Sequence, residues 1–122
     1  MYKQITILGP GLLGASLAMA IKDRMPESRV VVWSRRTETR AESLLRRWCD
    51  ATFDTPEDAV VDSDLVVICT PVDTIVPLLE RIEKNLSVTT LVTDVGSTKN
   101  QICQAASKIL AKGASFVGSH PM

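Results

Sequence analysis

Three glycines near the start of the sequence have the spacing that proteins use to hold a pyrophosphate. Gly9, Gly11 and Gly14 form a G-x-G-x-x-G, which follows a strand-like run and opens a helical pattern. The first glycine permits a tight turn, the second lets the backbone approach a phosphate, and the third lets the helix pack on the sheet. With Leu12 and Leu13 between them, they predict a dinucleotide site at a helix N-terminus. The alternative is a tight strand-to-helix turn without a ligand.

The end of the second predicted strand bears on which dinucleotide is bound. Proteins that bind NAD usually carry an acidic residue about twenty positions beyond the glycines, where it accepts hydrogen bonds from the ribose 2′-OH. This chain has Ser34, Arg35 and Arg36 there. A hydroxyl and two guanidiniums match a 2′-phosphate in charge and geometry, whereas a carboxylate would repel it. The pattern favours NADP over NAD, although both arginines could instead be solvated while other contacts hold NAD.

A third group of candidates follows the fourth predicted strand. The run Cys69, Thr70, Pro71 and Val72 is expected to lie beside the glycine loop and to wall the nicotinamide ribose of a bound cofactor. Pro71 stiffens the exit from the strand. Cys69 is interpreted as a small core residue rather than a reactive thiol. We therefore add these four residues to the predicted cofactor site.

Two further polar residues are placed at the ends of the last two predicted strands. Ser97 is either an N-cap or a hydroxyl presented at the open edge of the sheet. His120 is the only histidine, and Pro121 favours an extended conformation for it. A neutral imidazole at that edge could accept a proton from a hydroxyl as hydride leaves its carbon. We take His120 and Ser97 as the candidate catalytic residues.

The elements that would position these residues alternate between strands and helices. Strands are predicted over Gln4 to Leu8, Arg29 to Trp33, Ala51 to Phe53, Asp64 to Cys69, Thr90 to Val95 and Ser115 to Gly118. Helices are predicted over Leu12 to Met25, Thr37 to Cys49 (with a capping box at Thr39 and Glu42), Pro56 to Asp62, Asp73 to Asn85 and Thr98 to Lys112. This alternation predicts an α/β fold, a doubly wound parallel sheet of the Rossmann type with strand order 3-2-1-4-5-6.

Length and composition are those of one domain over residues 1–122. Fourteen basic and fourteen acidic residues cancel, which argues against nucleic acid or an anionic membrane as a partner. The three cysteines, which are widely spaced, form no metal-ligand pattern. The sequence shows neither a signal peptide nor a membrane-spanning run, so a cytoplasmic location is expected.

Taken together, four motifs in this order resemble the prephenate/arogenate dehydrogenase family of tyrosine biosynthesis. They are GPGLLGASLA at Gly9 to Ala18, CTPV at Cys69 to Val72, TDVGSTK at Thr93 to Lys99, and GSHPM at Gly118 to Met122. The resemblance implies an oxidative decarboxylation, in which hydride leaves a cyclohexadienol for NADP⁺ while carbon dioxide is lost. It also implies that His120 assists deprotonation of the ring hydroxyl and that Ser97 orients that hydroxyl and the imidazole.

The sequence departs from the family pattern in two places. Ser34 and Arg35 stand where many members have an acidic residue, which points to an NADP-using branch. The chain also ends at Met122, inside a motif that the family usually continues. The family's helical second domain, which contributes to the homodimer and to binding of prephenate or arogenate, is therefore expected to be missing, and this chain alone to be inactive. The alternatives are another dehydrogenase or reductase, of the β-hydroxyacid dehydrogenase or imine reductase type, and a non-catalytic NADP(H)-sensing module.

Overall fold

A single parallel sheet organises the protein. The computed structural model describes residues 2–9, 11–94 and 115–118. Neighbouring strands pair in the order β3-β2-β1-β4-β5-β6, all of them parallel. This confirms the predicted doubly wound sheet and its strand order. The strands are β1 (Gln4–Leu8), β2 (Arg29–Trp33), β3 (Ala51–Thr52), β4 (Leu65–Ile68), β5 (Leu91–Asp94) and β6 (Ser115–Gly118).

The central strands are buried on both faces, as parallel sheets require. Every residue of β1 is buried, and so are four of the five in β2. Because side chains alternate along a strand, Ile5 and Ile7 pack on one face whereas Leu8 packs on the other. The first face is covered with the help of Ala18 and Ile21, and the second forms the larger cluster. The sheet therefore separates two apolar cores and brings the carboxyl ends of all its strands to one edge.

Four α-helices lie within the described residues; three of them are shorter than the predicted spans, and the first is offset by one residue. They are α1 (Gly11–Arg24), α2 (Thr37–Leu44), α3 (Pro56–Ala59) and α4 (Ile75–Ile82). Two short 3₁₀ turns, Val72–Thr74 and Glu83–Asn85, flank α4 and fill the rest of the span predicted as one helix. The predicted helix Thr98 to Lys112 lies outside the described residues. None of the described helices is long and apolar enough to cross a bilayer.

Helix α2 is the largest correction to the predicted elements. It ends at Leu44 rather than Cys49, and Arg36 rather than Thr39 is its N-cap residue, so the predicted capping box is wrong. After Leu44 the chain continues in tight turns with i to i−3 backbone hydrogen bonds, as from the Cys49 N–H to the Arg46 carbonyl. These turns return the chain to the sheet, where the Asp50 N–H donates to the Val30 carbonyl at 2.8 Å.

Asp50 links the end of α1 to the start of β2. One carboxylate oxygen, Oδ2, accepts from Lys22 Nζ at 2.6 Å and from the Val30 N–H at 2.7 Å. Burial alone would raise the pKa of the Asp50 carboxyl, but the hydrogen bonds from Lys22 and Val30 outweigh it and hold the pKa below its ordinary value. Asp50 therefore stabilises the fold above the ordinary carboxyl pKa, and this contribution is lost as the pH falls through the depressed pKa.

Replacing Asp50 with asparagine is expected to cost about 0.5–1 kcal/mol near neutral pH, because the ion pair with Lys22 is partly exposed and the Val30 N–H keeps an acceptor. Urea unfolding at about pH 7 and about pH 3 measures the effect. The Asp50→Asn gap should shrink at the lower pH, where the native carboxylate becomes protonated. Asp54→Asn, a matched change at a side chain that is 95% exposed, should leave stability nearly unchanged. A gap that persists at low pH would contradict the assignment.

Candidate functional site at the carboxyl edge of the sheet

Gly9 lies where β1 meets the glycine loop, and any side chain there would be strained and crowded. Its φ is +77°, and its N–H donates to the Trp33 carbonyl at 2.7 Å. A Cβ at this position would overlap the Thr70 Cγ2 methyl and lie 3.3 Å from the Thr70 backbone nitrogen. Gly9 therefore allows the chain after β1 to contact Thr70, two residues beyond the end of β4, which is a stronger requirement than a tight turn alone.

The next glycines occupy different surroundings. Gly11 begins α1 with φ +44°, and no atom of the described residues lies within 4 Å of the place where its Cβ would be. Gly14 is buried in the first turns of α1. The open space at Gly11 lies at the N-terminus of a 14-residue helix, where free N–H groups and the helix dipole favour an anion. Nothing is described of the Leu12 and Leu13 side chains.

The loop after β2 carries two free cations over a buried serine. Ser34 is 9% exposed, and its Oγ accepts from the Arg36 N–H at 3.2 Å. Arg35 and Arg36 are exposed. The ion pairs found among the described residues involve neither guanidinium. Both remain available to an anionic ligand.

The segment after β4 brings a buried hydroxyl to the glycine loop. The Cys69 N–H donates to the Leu8 carbonyl at 2.8 Å, which fixes the segment beside β1. Thr70 Oγ1 is buried and has no hydrogen-bond partner within the part of the chain that the structure describes. The Pro71 carbonyl accepts a hydrogen bond from the Thr74 hydroxyl at 2.6 Å. Val72 begins the 3₁₀ turn. A buried hydroxyl left without a partner is costly, so Thr70 is suited to contact a ligand.

Cys69 is partly buried and packs against the apolar core that contains Ile5 and Ile7. Burial, and secondarily the nearby carboxylate of Asp94, raise the pKa of the Cys69 thiol to about 11. The thiol therefore stays protonated and weakly nucleophilic near neutral pH. Cys49, buried in the core cluster that includes Ala18 and Ile21, is similar, since burial raises its pKa to about 11 as well.

These segments surround one open cavity of about 550 Å³, a volume within the usual range for small-molecule and cofactor sites. Its predicted lining residues are Gly9, Gly11, Ser34, Arg35, Arg36, Cys69, Thr70 and Pro71. It is also lined by residues outside the predicted set, namely Trp33, Thr39, Asp73, Thr74, Pro77, Leu78 and Arg81. The glycine loop, the basic loop and the segment after β4 thus converge on one site.

Five of these seven residues lie in α4 or in the 3₁₀ turn that precedes it. Pro77 and Leu78 add apolar wall, and Pro77 is tolerated because it lies in the first turn, where N–H groups lack helical partners. Arg81 reaches the cavity while donating to both Glu57 carboxylate oxygens at 3.0 Å, which holds the pKa of Glu57 below its ordinary value. Only their position in the sequence could have indicated these residues, because α4 follows β4, a strand that ends at the edge of the sheet where the site lies.

The two candidate catalytic residues, Ser97 and His120, lie outside the described residues, so their positions stay predictions. The strands that precede them, β5 and β6, end at the same edge of the sheet as β1 and β4. No cluster of three or more histidine, cysteine or acidic residues suited to a metal occurs among the described residues.

Comparison with known proteins identifies the family. The family model described as "Prephenate dehydrogenase, nucleotide-binding domain" matches residues 17–122. The chain belongs to the prephenate dehydrogenase family. Prephenate dehydrogenase of Bacillus subtilis is 35% identical over 123 residues, which cover 100% of this chain and 33% of that protein. Cyclohexadienyl dehydrogenase of Zymomonas mobilis is 29% identical and matches over 99% of this chain and 41% of its own length.

Solved structures of prephenate dehydrogenase relatives have the same fold. Synechocystis arogenate dehydrogenase is 32% identical with a TM-score of 0.85, over 97% of this chain and 40% of that one. Prephenate dehydrogenase from A. aeolicus, in complex with hydroxyphenyl propionate and NAD⁺, is 25% identical with a TM-score of 0.87, over 98% of this chain and 42% of that one. The chain thus spans between a third and about two fifths of these relatives' lengths. It corresponds to the nucleotide-binding domain of the family.

Proposed function

We propose that this chain binds NADP(H) as the cofactor domain of a prephenate or arogenate dehydrogenase. The observation that carries the proposal is the placement of Arg35 and Arg36 on the same cavity as the glycine loop, without carboxylate partners among the described residues. A carboxylate that would accept from a ribose 2′-OH is missing from position 34. Two guanidiniums and a hydroxyl suit a 2′-phosphate instead.

The remaining lining fits a dinucleotide. The open space at Gly11 would admit the pyrophosphate to the N-terminus of α1. Thr70 Oγ1, which is buried without a partner among the described residues, would gain one from the cofactor. Pro77 and Leu78 supply apolar surface for a ring. Leu12, Leu13, Cys69, Pro71 and Val72 complete the proposed cofactor-binding set.

The chemistry combines the cofactor with residues at the same edge of the sheet. NADP⁺ would supply the hydride acceptor. We propose that His120 accepts the proton of the substrate ring hydroxyl and that Ser97 orients this hydroxyl and the imidazole, as the family resemblance implies. Deprotonation of the hydroxyl favours departure of hydride from its carbon. Loss of carbon dioxide and aromatisation then make the step favourable.

Other parts of the proposal concern the whole protein. Prephenate or arogenate would be the substrate, tyrosine biosynthesis the pathway, and the cytoplasm the location. A helical domain beyond this chain would bind the substrate carboxylates and form a homodimer. Residues 1–122 would then constitute the cofactor domain, competent to bind NADP(H) and inactive alone.

Parallel calorimetric titration of this chain with NADP⁺ and NAD⁺ tests the cofactor assignment. NADP⁺ is expected to bind at least about tenfold more tightly, a difference of about 1.4 kcal/mol, because only its 2′-phosphate meets the two guanidiniums. In the Arg35→Ala/Arg36→Ala variant this preference should disappear while NAD⁺ affinity changes little.

The Arg24→Ala/Arg47→Ala variant is the matched control, because both residues are exposed and lie outside the lining of this cavity and of the smaller one beside Gly11. It removes the same formal charge and should keep the preference for NADP⁺. Equal affinity of the unaltered chain for both cofactors, or tighter binding of NAD⁺, would overturn the NADP assignment and leave the family assignment standing.

A further inference from the structure

Arg40 lies on α2, next to the Ser34–Arg36 loop, and it does not line the cavity itself. Its Nη1 donates to the Ser34 carbonyl at 2.7 Å, and its Nη2 donates to Thr37 Oγ1 at 3.2 Å. The guanidinium therefore spans the loop, with one contact before Arg35 and Arg36 and one after them. Both contacts use the planar fork of donors that distinguishes arginine from lysine.

The surroundings of Arg40 show that these two contacts are its main ones. Its side chain is only 14% exposed. The closest carboxylate, on Asp54, is 3.8 Å away and 95% exposed, so solvent screens that pair strongly. Ser34 directly follows β2 and lines the cavity, and its carbonyl accepts no hydrogen bond from another described side chain. The partly buried guanidinium of Arg40 therefore donates mainly to one loop carbonyl and one hydroxyl.

We propose that Arg40 is a positioning residue for cofactor discrimination: it holds the Ser34–Arg36 loop in the conformation in which Arg35 and Arg36 receive a phosphate monoester. This inference rests on the proposed 2′-phosphate role of those two arginines. A loop already fixed in its binding conformation loses less conformational entropy when the ligand binds, which raises affinity without a new ligand contact. NAD⁺ lacks the 2′-phosphate, so its affinity does not depend on how Arg35 and Arg36 are held.

The first experiment tests positioning without any cofactor. Trypsin cleaves after arginine, so cleavage after Arg35 and Arg36 in the folded chain, followed by mass spectrometry, reports how often the loop opens. Arg40→Gln is expected to speed this cleavage by about tenfold. Arg40→Lys, which can donate to the Ser34 carbonyl but lacks the fork that also reaches Thr37, should restore only part of the protection. Arg47→Gln, an exposed change of equal charge, should have no effect. Unchanged cleavage in Arg40→Gln would overturn the proposal.

The second experiment measures discrimination by titrating the same variants with NADP⁺ and NAD⁺. Arg40→Gln is expected to weaken NADP⁺ binding by about tenfold and NAD⁺ binding by less than about twofold, with urea unfolding showing that the chain remains folded. A parallel loss for both cofactors would mean a merely structural role and would overturn the inference. If Arg35→Ala/Arg36→Ala loses the preference and Arg40→Gln keeps it, the positioning role fails alone. If none of these variants alters the preference, the proposed function fails with it.

Discussion

Replacing Gly9 with alanine is expected to destabilise the chain by about 3 kcal/mol and to abolish measurable cofactor binding. Two costs combine at this position. A φ of +77° costs an alanine about 1–2 kcal/mol, and the added Cβ would overlap the Thr70 methyl, an overpacking cost of about 1–3 kcal/mol. Relief of the overlap would displace Thr70 or the glycine loop, both of which line the cavity. Urea unfolding and calorimetric titration measure the two effects.

The second glycine provides the control. Gly11→Ala meets no described atom within 4 Å, so only the cost of its positive φ, about 1 kcal/mol, is expected. Thr70→Ser removes the Cγ2 methyl and keeps the hydroxyl, so it should recover about 1–2 kcal/mol in the Gly9→Ala background. Equal destabilisation by the two glycine substitutions, or no recovery with Thr70→Ser, would show that contact with Thr70 does not determine the requirement for glycine.

Sequence pattern predicted the sheet well because the strands obey a local rule. β1 and β2 have the predicted bounds, since a run of buried β-branched residues has few alternatives to a central parallel strand. The end of α2 could not be predicted in the same way. The helical spacing of the sequence continues through Leu45, although this residue is 85% exposed. The helix ends earlier because Cys49 is buried and the Asp50 N–H forms a hydrogen bond with the Val30 carbonyl of β2. Tertiary contacts, not periodicity, set that boundary.

The site was predictable where its residues belong to a motif. The glycines, the loop after β2 and the segment after β4 were found because their spacing carries a mechanism. Pro77 and Leu78 were missed, since an apolar residue in a helix has the same sequence pattern whether it packs in a core or lines a cavity. Arg40 gave no signal, because an arginine on a polar helix resembles a solvated surface charge. Its hydrogen bond to the Ser34 carbonyl exists only in the folded chain.

Substitution of Ser34 by aspartate is expected to reverse the cofactor preference. Ser34 is buried directly after β2 and lines the cavity beside Arg35 and Arg36. An aspartate there would repel a 2′-phosphate and accept hydrogen bonds from a ribose 2′-OH. We expect about a hundredfold loss of NADP⁺ affinity, which corresponds to a repulsion of about 2.7 kcal/mol between the aspartate and the 2′-phosphate. This value is below the repulsion of about 4 kcal/mol between two like charges about 4 Å apart at a protein surface. NAD⁺ affinity should hold or rise. Titration of both cofactors gives the ratio directly.

Ser34→Asn separates charge from shape in this experiment. Asparagine and aspartate can both accept from the Arg36 N–H as serine does, so either residue keeps the turn that opens the basic loop. The Ser34 carbonyl, which Arg40 holds, is unchanged in both variants. Only the aspartate adds a negative charge, so Ser34→Asn should keep most of the NADP⁺ affinity. If the two substitutions weakened NADP⁺ equally, side-chain size rather than charge at residue 34 would control binding. The placement of the 2′-phosphate between Ser34 and the two arginines would then be wrong, because a dianion at that place must respond to the added carboxylate.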